Sequence, residues 1–148
     1  MGSSYLRRGR FLLAVLGACA VLAVSGCAGV SKIHKQPINA GIEKKYQAAA
    51  ANVKELAKEA ALKAKYTILE QKQYDPNTYQ YILLMPMSMQ SNGHYARVLI
   101  ISEGANVTVV RFHNVRRIDM NFTENLEGPK KNFFSQLEAA LISKQEGL

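Results

Sequence analysis

The apolar period of this chain changes at residue 66, from the three-and-four spacing of a helix to the alternation of a strand. That change fixes the fold class more tightly than composition does, because the two periods cannot serve the same backbone. Before it, Ile42, Tyr46, Ala49, Val53, Leu56 and Ala60 form one apolar stripe over 42–65, with Lys and Glu on the remaining face. This predicts an amphipathic helix whose Ala-rich side permits close approach to a sheet or another helix. After it come four alternating runs: Tyr66–Gln73, Thr78–Met89, His94–Ser102 and Val107–Arg116. Turn signals separate them at Asp75-Pro76-Asn77, Ser91-Asn92-Gly93 and Glu103-Gly104-Ala105-Asn106. Pro86 lacks an N–H, so it predicts an edge or a bulge in the second run. Ile118, Met120 and Phe122 alternate and either extend the last strand or add a short one. A final helix starts at Gly128-Pro129, with Phe133, Phe134, Leu137, Ala140 and Leu141 as its stripe. Short connections favour antiparallel pairing. The expected fold is α+β: an N-terminal helix, an antiparallel meander of three to four strands, and a C-terminal helix packed on one face of the sheet.

The first residues follow a different logic. Arg7, Arg8 and Arg10 precede an uncharged apolar run of 14 residues, Phe11 to Val24. That run is shorter than the ~20 residues a spanning helix needs, and the basic residues before it match the orientation used for export. It ends in Val24-Ser25-Gly26-Cys27. This resembles the lipobox of bacterial lipoprotein precursors. Small side chains let a peptidase reach the bond before the cysteine, and the thiol accepts a diacylglyceryl group. Arg7-Arg8 also invites a twin-arginine reading, but Phe11-Leu12 comes one place later than that motif prefers, which favours ordinary secretion. The resulting organisation is 1–26 as a lipoprotein signal peptide, 27–41 as the lipidated Cys27 and a tether, and 42–148 as one α+β domain. A free tether of this length would reach roughly 45 Å when extended.

The resemblance implies an address. Ala28, the residue after the lipidated cysteine, is not Asp, and by the sorting rule of enteric-type bacteria that implies an outer-membrane lipoprotein facing the periplasm, held by palmitate-class acyl chains. In element order the domain is similar to small envelope lipoproteins of α–β–β–β–α layout, including accessory lipoproteins of outer-membrane barrel assembly and lipopolysaccharide export. That likeness is one of layout and carries no residue across except Cys27.

The chain has two cysteines. Cys19 lies in the apolar run and Cys27 is the acylated one, so the 122-residue mature chain has no thiol for a disulfide, metal site or nucleophile. Its formal charge falls from +8 to +5 on removal of the signal, a modest basic balance that does not mark a nucleic-acid binder.

The alternating runs carry the candidate sites. Met85, Met87 and Met89 share one parity, with His94 five residues on; thioethers are soft ligands that suit Cu(I), and the same parity also reads as core filling. His94 and His113 flank the turn at Gly104, with His34 in the tether. Arg97 and Arg111 face each other across the third hairpin as a candidate grip on an anion, with Arg116 and Arg117 following. Tyr74, Tyr79, Tyr81 and Tyr95 either stack on a ligand or fill the core. Asp75 and Asp119 are the only aspartates, and neither a nucleophile elbow nor a phosphate loop occurs, so no catalytic residue and no cofactor is expected. The expected function is that of a membrane-anchored, non-enzymatic accessory or structural protein that binds an envelope protein. The alternative is a periplasmic module for Cu(I) or anionic lipid.

Overall fold

The computed structural model describes residues 29–88, 92–117 and 125–147. A short helix α1 covers 29–34. It is followed by β1 (Ile42–Tyr46), α2 (Ala50–Lys63), β2 (Thr67–Asp75), β3 (Thr78–Met85), β4 (His94–Gly104), β5 (Val107–Arg116) and α3 (Glu127–Glu146). The sheet is antiparallel throughout, in the order β1-β5-β4-β3-β2. The fold is therefore α+β with a C-terminal helix on the sheet, and the sheet has five strands rather than three or four.

The additional strand is β1, taken from what reads in sequence as the first turn of a helix. The reason is arithmetical. A spacing of four, as between Ile42 and Tyr46, puts two residues on one face of a helix and equally on one face of a strand. Pairing decides the matter: β1 aligns Ile42 with Phe112 and Tyr46 with Thr108 and so covers the outer edge of β5. Gly41 makes the entry possible at φ +112°, a region open to glycine. A Cβ there would meet the Phe112 carbonyl, with its carbon at 2.8 Å and the His113 Cβ at 2.9 Å.

α2 follows from its Ala, Lys and Glu content. It ends in a reciprocal cap, in which Lys65 N donates to Leu62 O at 3.0 Å and Tyr66 N to Ala61 O at 2.9 Å. Lys65 takes the left-handed position, φ 70°, that glycine usually fills. The second predicted strand stops at Met85, one residue before Pro86, and it lies inside the sheet. Pro86 thus terminates β3 instead of bulging an edge. The edge strand β2 has bulges after Ile68 and after Gln73, and the β4–β5 register shifts after Ser102. Ile118, Met120 and Phe122 lie outside the described residues.

Strand parity sorts the core into two faces. Tyr81, Leu83, Ala96, Val98, Ile100, Val110 and Phe112 point to one side, where they bury against Val53, Leu56, Ala57, Ala60 and Ala61 of α2 and Phe133, Phe134 and Leu137 of α3. Phe112 is the hub, with ring centroids 4.9 Å from Phe133 and 6.1 Å from Phe134. On the other side Ile33, Ile82 and Tyr95 form a smaller cluster with Val30, Leu84 and Val115. This second cluster exists because the segment expected as a free tether is docked. α1 and the loop after it cross the sheet from the start of β4 to the edge at β1.

Candidate functional site

The docked segment is held by a buried arginine. Arg97, on β4, is almost fully enclosed. Its Nη1 donates to Ile33 O at 3.3 Å and Gln36 O at 3.1 Å, and its Nη2 donates to Pro37 O. Ile33 lies in the last turn of α1, where a helix leaves acceptors unsatisfied, and Gln36 and Pro37 lie in the loop that follows. Burial pushes the Arg97 guanidinium below its ordinary pKa, and the Arg111 charge pushes the same way. Arg111 sits diagonally across β5, directly opposite Leu99. Its Nε donates to Glu43 Oε1 at 2.6 Å and its Nη1 to Ile38 O at 2.9 Å. The two arginines do share one face, as their spacing suggests. Their donors, however, are committed to the chain's own carbonyls and to Glu43. At the far side of the same segment, His34 Nε2 lies 3.1 Å from Glu70 Oε2 of β2.

The histidines do not come together. Register places His94 opposite Arg116 and His113 opposite Arg97, on opposite faces of the sheet. His94 is fully buried on the helix side, and its Nε2 lies 2.7 Å from the Tyr66 hydroxyl. Burial raises the Tyr66 pKa, so the phenol stays protonated. His113 is held below its ordinary 6.5, first by burial, then by Arg97 and Lys130. Its Nε2 is buried and has no hydrogen-bond partner among the described residues.

The methionines separate too. Met85 is the register partner of His94 and packs on the helix-side core. Met87, past the end of β3, is exposed, and Met89 lies outside the described residues. Among the described residues no group of three or more His, Cys, Asp or Glu side chains is placed to hold a metal. The tyrosines divide by parity. Tyr79 and Tyr81 pack edge to face at 5.1 Å on the helix side, Tyr81 donating to Lys54 O at 3.1 Å. Tyr95 is buried on the other face, and Tyr74 is exposed on β2. Arg117 is exposed beyond β5. Asp75 accepts from Asn77 N at 2.8 Å as part of the β2–β3 turn. Cys27 and Asp119 lie outside the described residues.

Among the described residues, open hollows lie between the α2 start and the α3 end, along the α2–α3 groove, and beside the β2–β3 turn. Ala, Lys, Gln and Asn recur in their linings, and Glu59 lines the α2–α3 groove. Sequence reasoning missed the Arg97 clasp, because its acceptors are backbone carbonyls about 60 residues away, and backbone leaves no signature in composition. Among the described residues, no helix is long and apolar enough to cross a membrane. Comparison with known proteins finds no family model that matches this chain and no match among curated proteins.

Proposed function

We propose that this chain is an envelope lipoprotein: residues 1–26 export it, Cys27 carries the acyl chains, and the domain works as a non-enzymatic accessory or structural protein that binds a partner protein, at the periplasmic side of the outer membrane. The observation that carries the reading is the ordered succession of Arg7, Arg8 and Arg10, the apolar run from Phe11 to Val24, and Val24-Ser25-Gly26-Cys27. The two acyl chains of such a cysteine suffice for stable anchoring where one is marginal. A domain that holds its core without a cysteine is consistent with export. Support for a protein partner comes from β2. Among the described residues no strand pairs with its outer edge, which runs over nine residues, and exposed Leu69 and Tyr74 sit at its two bulges. Such an edge offers backbone donors and acceptors to an added strand.

Two measurements test the two halves. Metabolic labelling with palmitate is expected to mark the native chain and leave Cys27→Ala unmarked; equal labelling of both overturns the anchor. A mild-detergent pull-down with a C-terminal tag is expected to recover one stoichiometric envelope protein, lost in Leu69→Asp/Tyr74→Asp. An eluate holding this chain alone overturns the partner.

A further inference from the structure

We infer that one end of the domain is a membrane-contact surface, on which the exposed Lys63, Lys65, Arg117 and Lys131 lie against anionic phospholipid headgroups. The inference rests on the proposed anchoring at Cys27 and assigns the orientation of the domain beneath it.

The first step is where the chain departs. Gly29 lies against Tyr95 so closely that a Cβ would collide with the tyrosine ring and hydroxyl. Tyr95 is the second residue of β4. The backbone is thus fixed to the sheet two residues after Cys27, and two residues reach only about 7 Å. Docking of 29–41 removes most of the length that a free tether would have, so the acyl chains pull one chosen end of the domain to the bilayer.

The second step is what that end contains. The antiparallel order puts the start of β2, the end of β3, the start of β4 and the end of β5 together. The end of α2 leads into β2 there, and α3 begins there, with Asn114 Nδ2 donating to Leu126 O at 2.9 Å. Among the described residues this end carries those four exposed cations, the half-buried Arg116, and Lys130, whose side chain is mostly enclosed and ion-paired to Glu127. The opposite end carries the β2–β3 and β4–β5 turns. It has Asp75, Glu103 and Glu146 against Lys45 and Lys144, and Lys45 is paired to Glu103 at 2.6 Å. Of the two ends, the one beside the anchor therefore carries the positive excess among the described residues. Two large apolar side chains project among it, Leu62 (52% exposed) and Met87 (53%). Cations interspersed with exposed apolar groups suit a headgroup layer, where the charge meets phosphate and the apolar side chains enter the acyl boundary. Within a Debye length of about 8 Å such attraction is only partly screened at physiological salt. Arg97 and Arg111 take no part, since they bind the docked segment and Glu43.

The test uses the protein extracted from its own membrane and incorporated in vesicles of neutral phosphatidylcholine, or of phosphatidylcholine with three parts in ten phosphatidylglycerol. Lysine acylation is read residue by residue by mass spectrometry. Lys63, Lys65 and Lys131 are expected to react about fivefold more slowly on the anionic vesicles, and to regain their rate in 0.5 M NaCl. Lys45 and Lys144 are expected to stay unchanged. Equal rates at both ends overturn the inference. Flotation separates it from the anchor. A chain that floats with neutral vesicles is anchored whatever the lysines do. A chain that floats only with anionic vesicles, and loses this in Lys63→Glu/Arg117→Glu/Lys131→Glu with its melting transition intact, contradicts the anchor and keeps the surface. A chain that floats with neither contradicts both.

Discussion

Arg97 donates to the backbone carbonyl of Ile33 at 3.3 Å, joining a buried strand residue to the end of a helix 64 positions earlier in the chain. With Gln36 and Pro37 also bound, one guanidinium joins three carbonyls of the crossing segment. Charge-assisted hydrogen bonds contribute about 1.5–3 kcal/mol each, and orphaned buried carbonyls add a penalty. Arg97→Met is expected to lower unfolding free energy by about 3 kcal/mol in urea titration. Amides of 35–40 should also exchange faster, because Lys35, Gln36 and Ala40 donate within that segment. Unchanged exchange there would show that the clasp is not what docks it.

His113 sets a pH dependence. Its folded pKa lies below the ordinary 6.5, through burial, Arg97 and Lys130. Below that value the unfolded chain binds the proton more readily, so stability is full above pH ~6.5 and declines as the pH falls toward the folded pKa. Melting temperatures of the wild type and His113→Asn, compared at pH 7.5 and pH 5, are expected to converge or cross as the wild type loses more. Parallel curves would remove His113 from the account.

Gly41 admits no side chain. Its φ of +112° and the Phe112 carbonyl behind it exclude a Cβ without moving β1. Gly41→Ala should cost about 2–3 kcal/mol, measured by denaturant titration, since strain of this kind costs 1–3 kcal/mol before any clash.

Lys65 is the converse case. A non-glycine residue at φ 70° closes α2. Lys65→Gly should stabilise the domain by about 1 kcal/mol, because the left-handed position no longer strains a side chain. A loss of stability would mean that the lysine's own contacts outweigh the strain.

The sequence alone determined the class of this domain. The period change at residue 66, the turns at Pro76, Gly93 and Gly104, and the stripe through Phe133, Phe134 and Leu137 are local signals, and each element they announced from 67 onward is present within a few residues. Local spacing could not say whether Ile42–Tyr46 was helix or strand, since a step of four satisfies both. The exposed edge of β5 decided it. Nor could it say which histidine faces which arginine: register, set by every ladder bond together, put His94 and His113 on opposite faces. Least legible was the segment 29–41, whose composition has no period and reads as a tether. Its place is fixed by carbonyls that any sequence would carry, met by a guanidinium that the sheet brings beneath them. Side-chain pattern travels with the sequence, but the partners of a backbone group exist only once the chain has folded.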